Sequence, residues 1–334
     1  MQYQEIRSIE WLPFWKAYQN QKEIPVFLAC GDALFDVFQS PSDSLTSLEL
    51  SAHIGGSPLN VALGLARLGN PVGYLTANST DALGDKIQTF MQANGIDTRY
   101  VARCDRNTSL AMVSVNDAGH PSYAFYIEGG ADVSLSRDQL PADSTFDAIS
   151  IGSYSTVVEP CASSLGAFIA RARESSFIAY DPNVRPSIQP DPAVWLDTFE
   201  QLGSHADLMK LSDEDIEFLA PGTDIETFAR AALELGPVWV VVTRGADGAI
   251  AYSRERTVEV PGRKVAVIDT VGAGDTFQAA MLDALNRQGQ LSRAALADAD
   301  MQGAVGWAIA AAAVTCSRRG ADLPTRDAVL EFLA

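Results

Sequence analysis

Asp269-Thr-Val-Gly-Ala-Gly-Asp-Thr-Phe277 is the stretch on which the reading of this chain turns. It is a short glycine-bearing turn that runs straight into a helix, because from Asp275 onward Phe277, Ala280, Met281, Ala284 and Leu285 recur on one helical face. Gly272, Ala273, Gly274 and Asp275 therefore stand where a helix begins and its first N–H groups lack intrahelical partners. Those donors, with the positive end of the helix dipole, suit an anion. A carboxylate in the same turn makes chemical sense beside a phosphate if it accepts the proton of a hydroxyl that attacks the phosphate. Charge-holding amides and a proton acceptor, a few residues apart, meet the core needs of phosphoryl transfer. An Asp at a helix start and a Gly-x-Gly turn are each common as structural features, so other motifs have to share the weight.

The chain has 334 residues, enough for one large α/β domain or two modest ones. Hydrophobic residues are 47% and charged residues 20%, ordinary for a globular protein with a sizeable core. Lys+Arg number 24 against 42 Asp+Glu, a formal net charge of −18. That balance argues against a nucleic-acid partner and against an anionic membrane surface. Cys30, Cys104, Cys161 and Cys316 are far apart and read as reduced thiols of a cytoplasmic protein. His53, His120 and His205 show no metal-ligand spacing. No apolar run is long enough to span a bilayer, and the first residues carry charge where a signal peptide would be apolar.

Strand-like runs near 26–30, 72–76, 148–151, 177–180, 208–211 and 238–243 alternate with helical patterns such as 58–68 and 86–93. That alternation predicts βαβ units: a mainly parallel sheet covered by helices on both faces, with ligands beyond the carboxyl ends of its strands. Two segments break the rhythm, about 36–54 and 108–128, the second a hairpin with its turn at 116–119. Together they suit a small β-sheet lying over a cleft. Residues 1–25 form an N-terminal extension that reads as an amphipathic segment docked on the body or on a partner subunit; the sequence leaves a homodimer open.

Further motifs fall at strand ends. Gly55-Gly-Ser-Pro-Leu-Asn-Val-Ala62 puts a double glycine before a helix, with Asn60 in its first turn. Gly31-Asp-Ala-Leu-Phe-Asp36 follows the first strand, where a carboxylate can accept two hydrogen bonds from a diol; Asp36 is favoured over Asp32. In Tyr180-Asp-Pro-Asn-Val-Arg-Pro186 the prolines turn the chain out of the sheet, leaving Asp181, Asn183 and Arg185 at the cleft edge. Lys210-Leu-Ser-Asp-Glu-Asp215 and Val240-Val-Val-Thr-Arg-Gly-Ala-Asp-Gly-Ala249 each follow a strand.

The 269–277 string resembles the C-terminal signature of the PfkB (ribokinase-like) sugar kinases, and the 55–62 string resembles the N-terminal one. The resemblance runs from about residue 26 to the C-terminus. It implies a single kinase domain over 1–334, of ribokinase-like three-layer α/β fold with a small β-sheet lid, using ATP and Mg²⁺ to phosphorylate a primary hydroxyl of a sugar. Asp275 would be the base and the amides of 272–275 the anion hole. Asp36, Gly55, Gly56 and Asn60 would contact the sugar, with Asn183 and Arg185 lining the site. Thr243, Gly245, Gly248 and Gly320 would lie at the nucleotide. Members of the family carry an Asn-x-x-Glu pattern that organises waters on Mg²⁺; here Ser212 and Asp215 stand at those positions. A monovalent cation, K⁺, would lie between 269–271, with Asp269 and Val271, and the 316–321 loop. DPNxR and VTRGxxG look most like a fructokinase. A 2-keto-3-deoxygluconate kinase, ribokinase or nucleoside kinase is the alternative. The intact Asp275 turn speaks against a non-catalytic sugar-binding regulator. Ile127 stands where many relatives carry an arginine, which disfavours an acidic sugar and favours D-fructose.

Overall fold

The computed structural model describes residues 27–39, 46–115, 121–142 and 146–334. The extension 1–25 and the turn 116–119 lie outside the described residues. The strands are β1 (Phe27–Cys30), β2 (Leu34–Gln39), β3 (Leu50–Gly55), β4 (Val72–Ser79), β5 (Val101–Cys104), β6 (Leu110–Val115) and β7 (Pro121–Tyr126). They continue as β8 (Ala148–Gly152), β9 (Phe177–Asp181), β10 (Leu208–Ser212), β11 (Trp239–Thr243), β12 (Ala249–Tyr252) and β13 (Thr257–Val260). Among the described residues they make a large sheet in the order β13-β12-β11-β10-β9-β8-β1-β4-β5 and a small one in the order β3-β2-β6-β7.

The large sheet is parallel from β11 through β5, and β12 and β13 extend it antiparallel. The edge strands β5 and β13 are partly exposed, while the central strands β1, β4, β8, β9, β10 and β11 are buried almost throughout, as a sheet covered on both sides requires. Their side chains alternate between two cores: Phe27, Ala29, Trp239 and Val241 point one way, Leu28, Cys30, Val240 and Val242 the other. The first core is closed by the helices Ser57–Arg67, Ala273–Arg287 and Met301–Cys316, the second by Cys161–Ala172, Pro192–Gly203 and Ile225–Leu235. The result is the three-layer fold that the alternating pattern implies. From β1 the chain moves outward to β4 and β5, then returns to β8 on the other side of β1. A crevice opens at such a reversal, beyond the carboxyl ends of β1 and β8.

The small sheet is the expected lid. Its outer pairs are antiparallel and its central pair, β2 with β6, is parallel. It comes from both segments that break the βαβ rhythm. The structure corrects one placement: Asp36 does not end the first strand but lies inside lid strand β2, so its carboxylate reaches the cleft from the lid side.

The helix Ala273–Arg287 also departs from expectation. It has no solvent face: every residue from Asp275 to Leu285 is buried. The one-sided apolar pattern understated its burial because Asp275, Gln278 and Asp283 break the apolar run yet lie inside. Gly64 makes this packing feasible, since a Cβ there would lie 2.7 Å from Ala279 Cβ and 2.8 Å from Leu323 Cδ2. Gly64→Ala is expected to lower the urea midpoint, by about 1–3 kcal/mol of stability, because it would push apart two helices packed at their closest approach. An unchanged midpoint would show that the contact relaxes freely.

Candidate active site

Gly272 caps the Ala273–Arg287 helix in the left-handed region, φ 78°, and a Cβ there would press on Ala321. The amide of Ala273 closes the turn onto the Thr270 carbonyl at 3.2 Å. The amides of Gly274 and Asp275 have no acceptor among the described residues, which leaves them free for an anion. Asp275, 7% exposed, accepts a hydrogen bond from Ser57 Oγ at 2.6 Å and another from Asn60 Nδ2 at 2.8 Å. The two signature segments, more than 200 residues apart in sequence, therefore meet on one carboxylate. Asn183 Nδ2 donates to Ser57 Oγ at 2.5 Å, and Arg185 donates to Asn183 Oδ1 at 2.7 Å.

Gly55 stands beside Asp36, and a Cβ on it would collide with Asp36 Oδ2. Burial pushes the Asp36 carboxyl up to about 6; the Arg185 charge works against that and the Asp275 charge adds to it. Asp36, Arg185 and Asp275 thus share one electrostatic site. Gly56, the residue before the Ser57–Arg67 helix, packs against the Asp32 backbone.

Asp181 is not at the cleft edge as its sequence context suggests. It ends β9, buried, and its Oδ2 accepts from Lys210 Nζ at 2.8 Å. Asp215 accepts from the backbone N–H of Val184 at 2.8 Å with one oxygen and from the Ser212 N–H and hydroxyl, each at 2.8 Å, with the other. It thereby caps its own helix and pins the turn in which Asn183 takes a left-handed conformation, φ 41°.

On the far side, Thr243 ends β11 and Gly245 and Gly248 form the turn after it. Asp269 links 269–271 to the C-terminal loop: it accepts from Val271 N at 3.1 Å and from Gly320 N at 2.8 Å, while the N–H groups of Ile268 and Asp269 donate to the Cys316 carbonyl. All four cysteines are free, and the described residues contain no group of His, Cys, Asp and Glu clustered as a metal cage. No helix among them is long and apolar enough to cross a membrane.

Sequence reasoning weighs Asp32 only as a second choice to Asp36 and misses Ser57, Lys210 and Asp132. Ser57 lies within the 55–62 string, but nothing in that string alone points its hydroxyl at Asp275. Lys210 had a signal: a lone ammonium in the buried run Leu208-Met-Lys-Leu211 needs a partner. Asp132 accepts from the Ser109 hydroxyl and, at 2.5 Å, from Tyr154.

Two free amides at a helix start beside a buried carboxylate, at the crevice of a doubly covered α/β sheet with a second small sheet over it, make an arrangement suited to phosphoryl transfer on a ribokinase-like fold. The model of the pfkB family carbohydrate kinases matches residues 28–328. A fructokinase of Rhizobium leguminosarum bv. trifolii is 33% identical over 279 residues, 83% of this chain and 85% of that protein. The structure of a fructokinase with bound ATP from Xylella fastidiosa superposes with a TM-score of 0.84 at 27% identity, covering 93% of this chain and 98% of that one. A fructokinase double mutant from Vibrio cholerae O395, with fructose, ADP and potassium ion bound, gives a TM-score of 0.81 at 27% identity over 94% of this chain and 100% of that one. The chain belongs to the pfkB family of carbohydrate kinases, and it is a phosphotransferase acting on a sugar hydroxyl.

Burial pushes the Asp32 carboxyl up to about 7; the Asp132 charge adds to it, against the Ser153 hydrogen bond and the Arg185 charge. A carboxyl whose folded value lies above its unfolded one favours the fold when protonated, so its contribution is lost as pH rises toward about 7. Asn carries no such charge. Asp32→Asn is therefore expected to raise Tm more at pH 8 than at pH 5, and thermal melts giving the reverse order would show that Asp32 is compensated.

Proposed function

We propose that this protein is an ATP-dependent fructokinase that phosphorylates a primary hydroxyl of D-fructose, with Asp275 as the base. The observation that carries the proposal is the junction at Asp275: a buried carboxylate, oriented by Ser57 and Asn60, beside two unspent amides at a helix start. Asp275 takes the proton of the attacking hydroxyl, and the sugar oxygen then bonds to the γ-phosphorus as ADP leaves. The amides of Gly272, Gly274 and Asp275, with the turn of Ala273 between them, hold charge on the transferring group. Asp36, Gly55, Gly56 and Asn60 take the sugar, Asn183 and Arg185 close its edge, and the lid excludes water. Thr243, Gly245, Gly248 and Gly320 face the nucleotide.

Mg²⁺ fits the residues present. Asp181 Oδ1 is buried and has no partner among the described residues, and Asp215 is close enough to add to the field on Lys210. These two would reach the ion through its waters, and the ion, when bound, would offset the phosphate charge. K⁺ fits between 269–271 and 316–321, which Asp269 already joins.

A neutral acceptor is favoured because Ile127, partly buried against apolar neighbours, offers no charge to an acidic sugar. The names of the relatives point the same way. Measuring kcat/KM across fructose, ribose, 2-keto-3-deoxygluconate, fructose 6-phosphate and adenosine tests this, with fructose expected highest; an anionic sugar in first place would overturn it. Asp275→Asn keeps the size and the Ser57 contact, and is expected to bind ATP while losing about 10²–10⁴ in kcat. K⁺ is expected to raise kcat over Na⁺ and over a bulky organic cation at matched ionic strength, and equal rates in all three would remove the cation site.

A further inference from the structure

We propose that Lys210 is a positioning residue for phosphoryl transfer, its buried ammonium lying against Gly274 and supplying the positive charge behind the anion-holding turn. The inference rests on the kinase reading above and adds a residue to it. Lys210 comes from β10 and its side chain is 4% exposed. A Cβ built on Gly274 would lie 3.2 Å from Lys210 Nζ, so the ammonium stands beside the turn with no side chain between them. Of its three N–H donors one goes to Asp181 Oδ2 at 2.8 Å, and the other two have no acceptor among the described residues. A buried ammonium with unspent donors is costly unless something else answers its charge.

The surroundings supply the reason. Burial alone would lower the Lys210 pKa, but Asp181, and after it Asp215 and Asp275, hold it above its ordinary value. Three carboxylates therefore converge where a polyanionic nucleotide must deliver its terminal phosphoryl group. Amide dipoles alone would have to hold that group against like charge. An ammonium under Gly274 offsets the carboxylates from the protein side and leaves the sugar face, made by Asp36 and Asn60, untouched.

Lys210→Met alone strands Asp181 as an unpaired buried carboxylate and can unfold the protein for that reason. The informative comparison is therefore Asp181→Asn against the charge-neutral pair Asp181→Asn with Lys210→Met, using whichever sugar the wild-type enzyme turns over fastest. The pair is expected to fall about 10²-fold in kcat below Asp181→Asn, with KM for the sugar and Kd for ADP within about threefold. Its affinity for ADP with aluminium fluoride, which mimics the transferring group, should fall alongside kcat. Lys210→Arg, which keeps the charge, should recover part of the rate. A pair variant with kcat within about threefold of Asp181→Asn, or a loss shared equally by ADP alone, would overturn the proposal and leave Lys210 a structural ion-pair partner. Failure of the fructose assignment would appear separately, in the wild-type sugar preference.

Discussion

A helix with no free face carries Asp275, and the side chains around that carboxylate are packed against it. Ala273–Arg287 lies between the sheet and the neighbouring helices, with its first turn alone open to the cleft. Its other end is anchored by Asp283, fully buried, which accepts from Arg326 at 2.7 Å, from Trp307 at 3.0 Å and from Asn70 at 3.0 Å, and pairs with Arg287 at 3.1 Å. A charge taken out of water is tolerable only when its acceptor capacity is spent in this way. These bonds join the helix to the segments before and after it in the chain. Asp275 thus projects from an element that cannot tilt without breaking a buried ionic hub. Fixed donors and acceptors of this kind act on a transition state without reorganising first.

The site is acidic in a protein that is already strongly acidic. Asp32, Asp36, Asp132, Asp181, Asp215 and Asp275 all lie near the carboxyl ends of the central strands or on the lid above them. Two cations answer them from opposite sides: Arg185 toward Asp32 and Asp36, Lys210 toward Asp181, Asp215 and Asp275. A net charge of −18 discourages polyanions in general. Acceptance of a nucleotide therefore has to be local, through unpaired amides and the few cations beside them.

The lid binds its hinges to the same floor. Asp132, just beyond β7, holds Ser109, just before β6, and Tyr154, just after β8. Asp32 lies between β1 and β2, and its backbone carbonyl accepts from Tyr74 at 2.5 Å. The connections entering and leaving the lid thus pass through one buried polar cluster. Lid strand β2, which carries Asp36, is thereby joined to the body through it.

Much of this was legible in the residue order. The βαβ alternation, the two segments that break it and the glycine turn before Asp275 depend on local propensity and periodicity, which are properties of neighbouring residues. Family resemblance then named Asp275, Asn60 and the Gly55–Gly56 pair, because each sits in a short contiguous string. Asp36 inside a lid strand, Asp181 buried rather than at an edge, and Asp215 as the clamp on the Val184 turn were not legible, although the acidic run at 213–215 does suit a helix start. Nor were Ser57, Lys210 and Asp132 as site neighbours. Their surroundings are assembled from segments far apart in sequence: Ser57 meets Asp275 across 218 positions and Lys210 meets Asp181 across 29. Sequence by itself determined which elements form and in what order. Tertiary structure alone decided which carboxylates are desolvated, which cation answers each, and which donors remain unspent, because burial and charge pairing depend on distances in space and not along the chain.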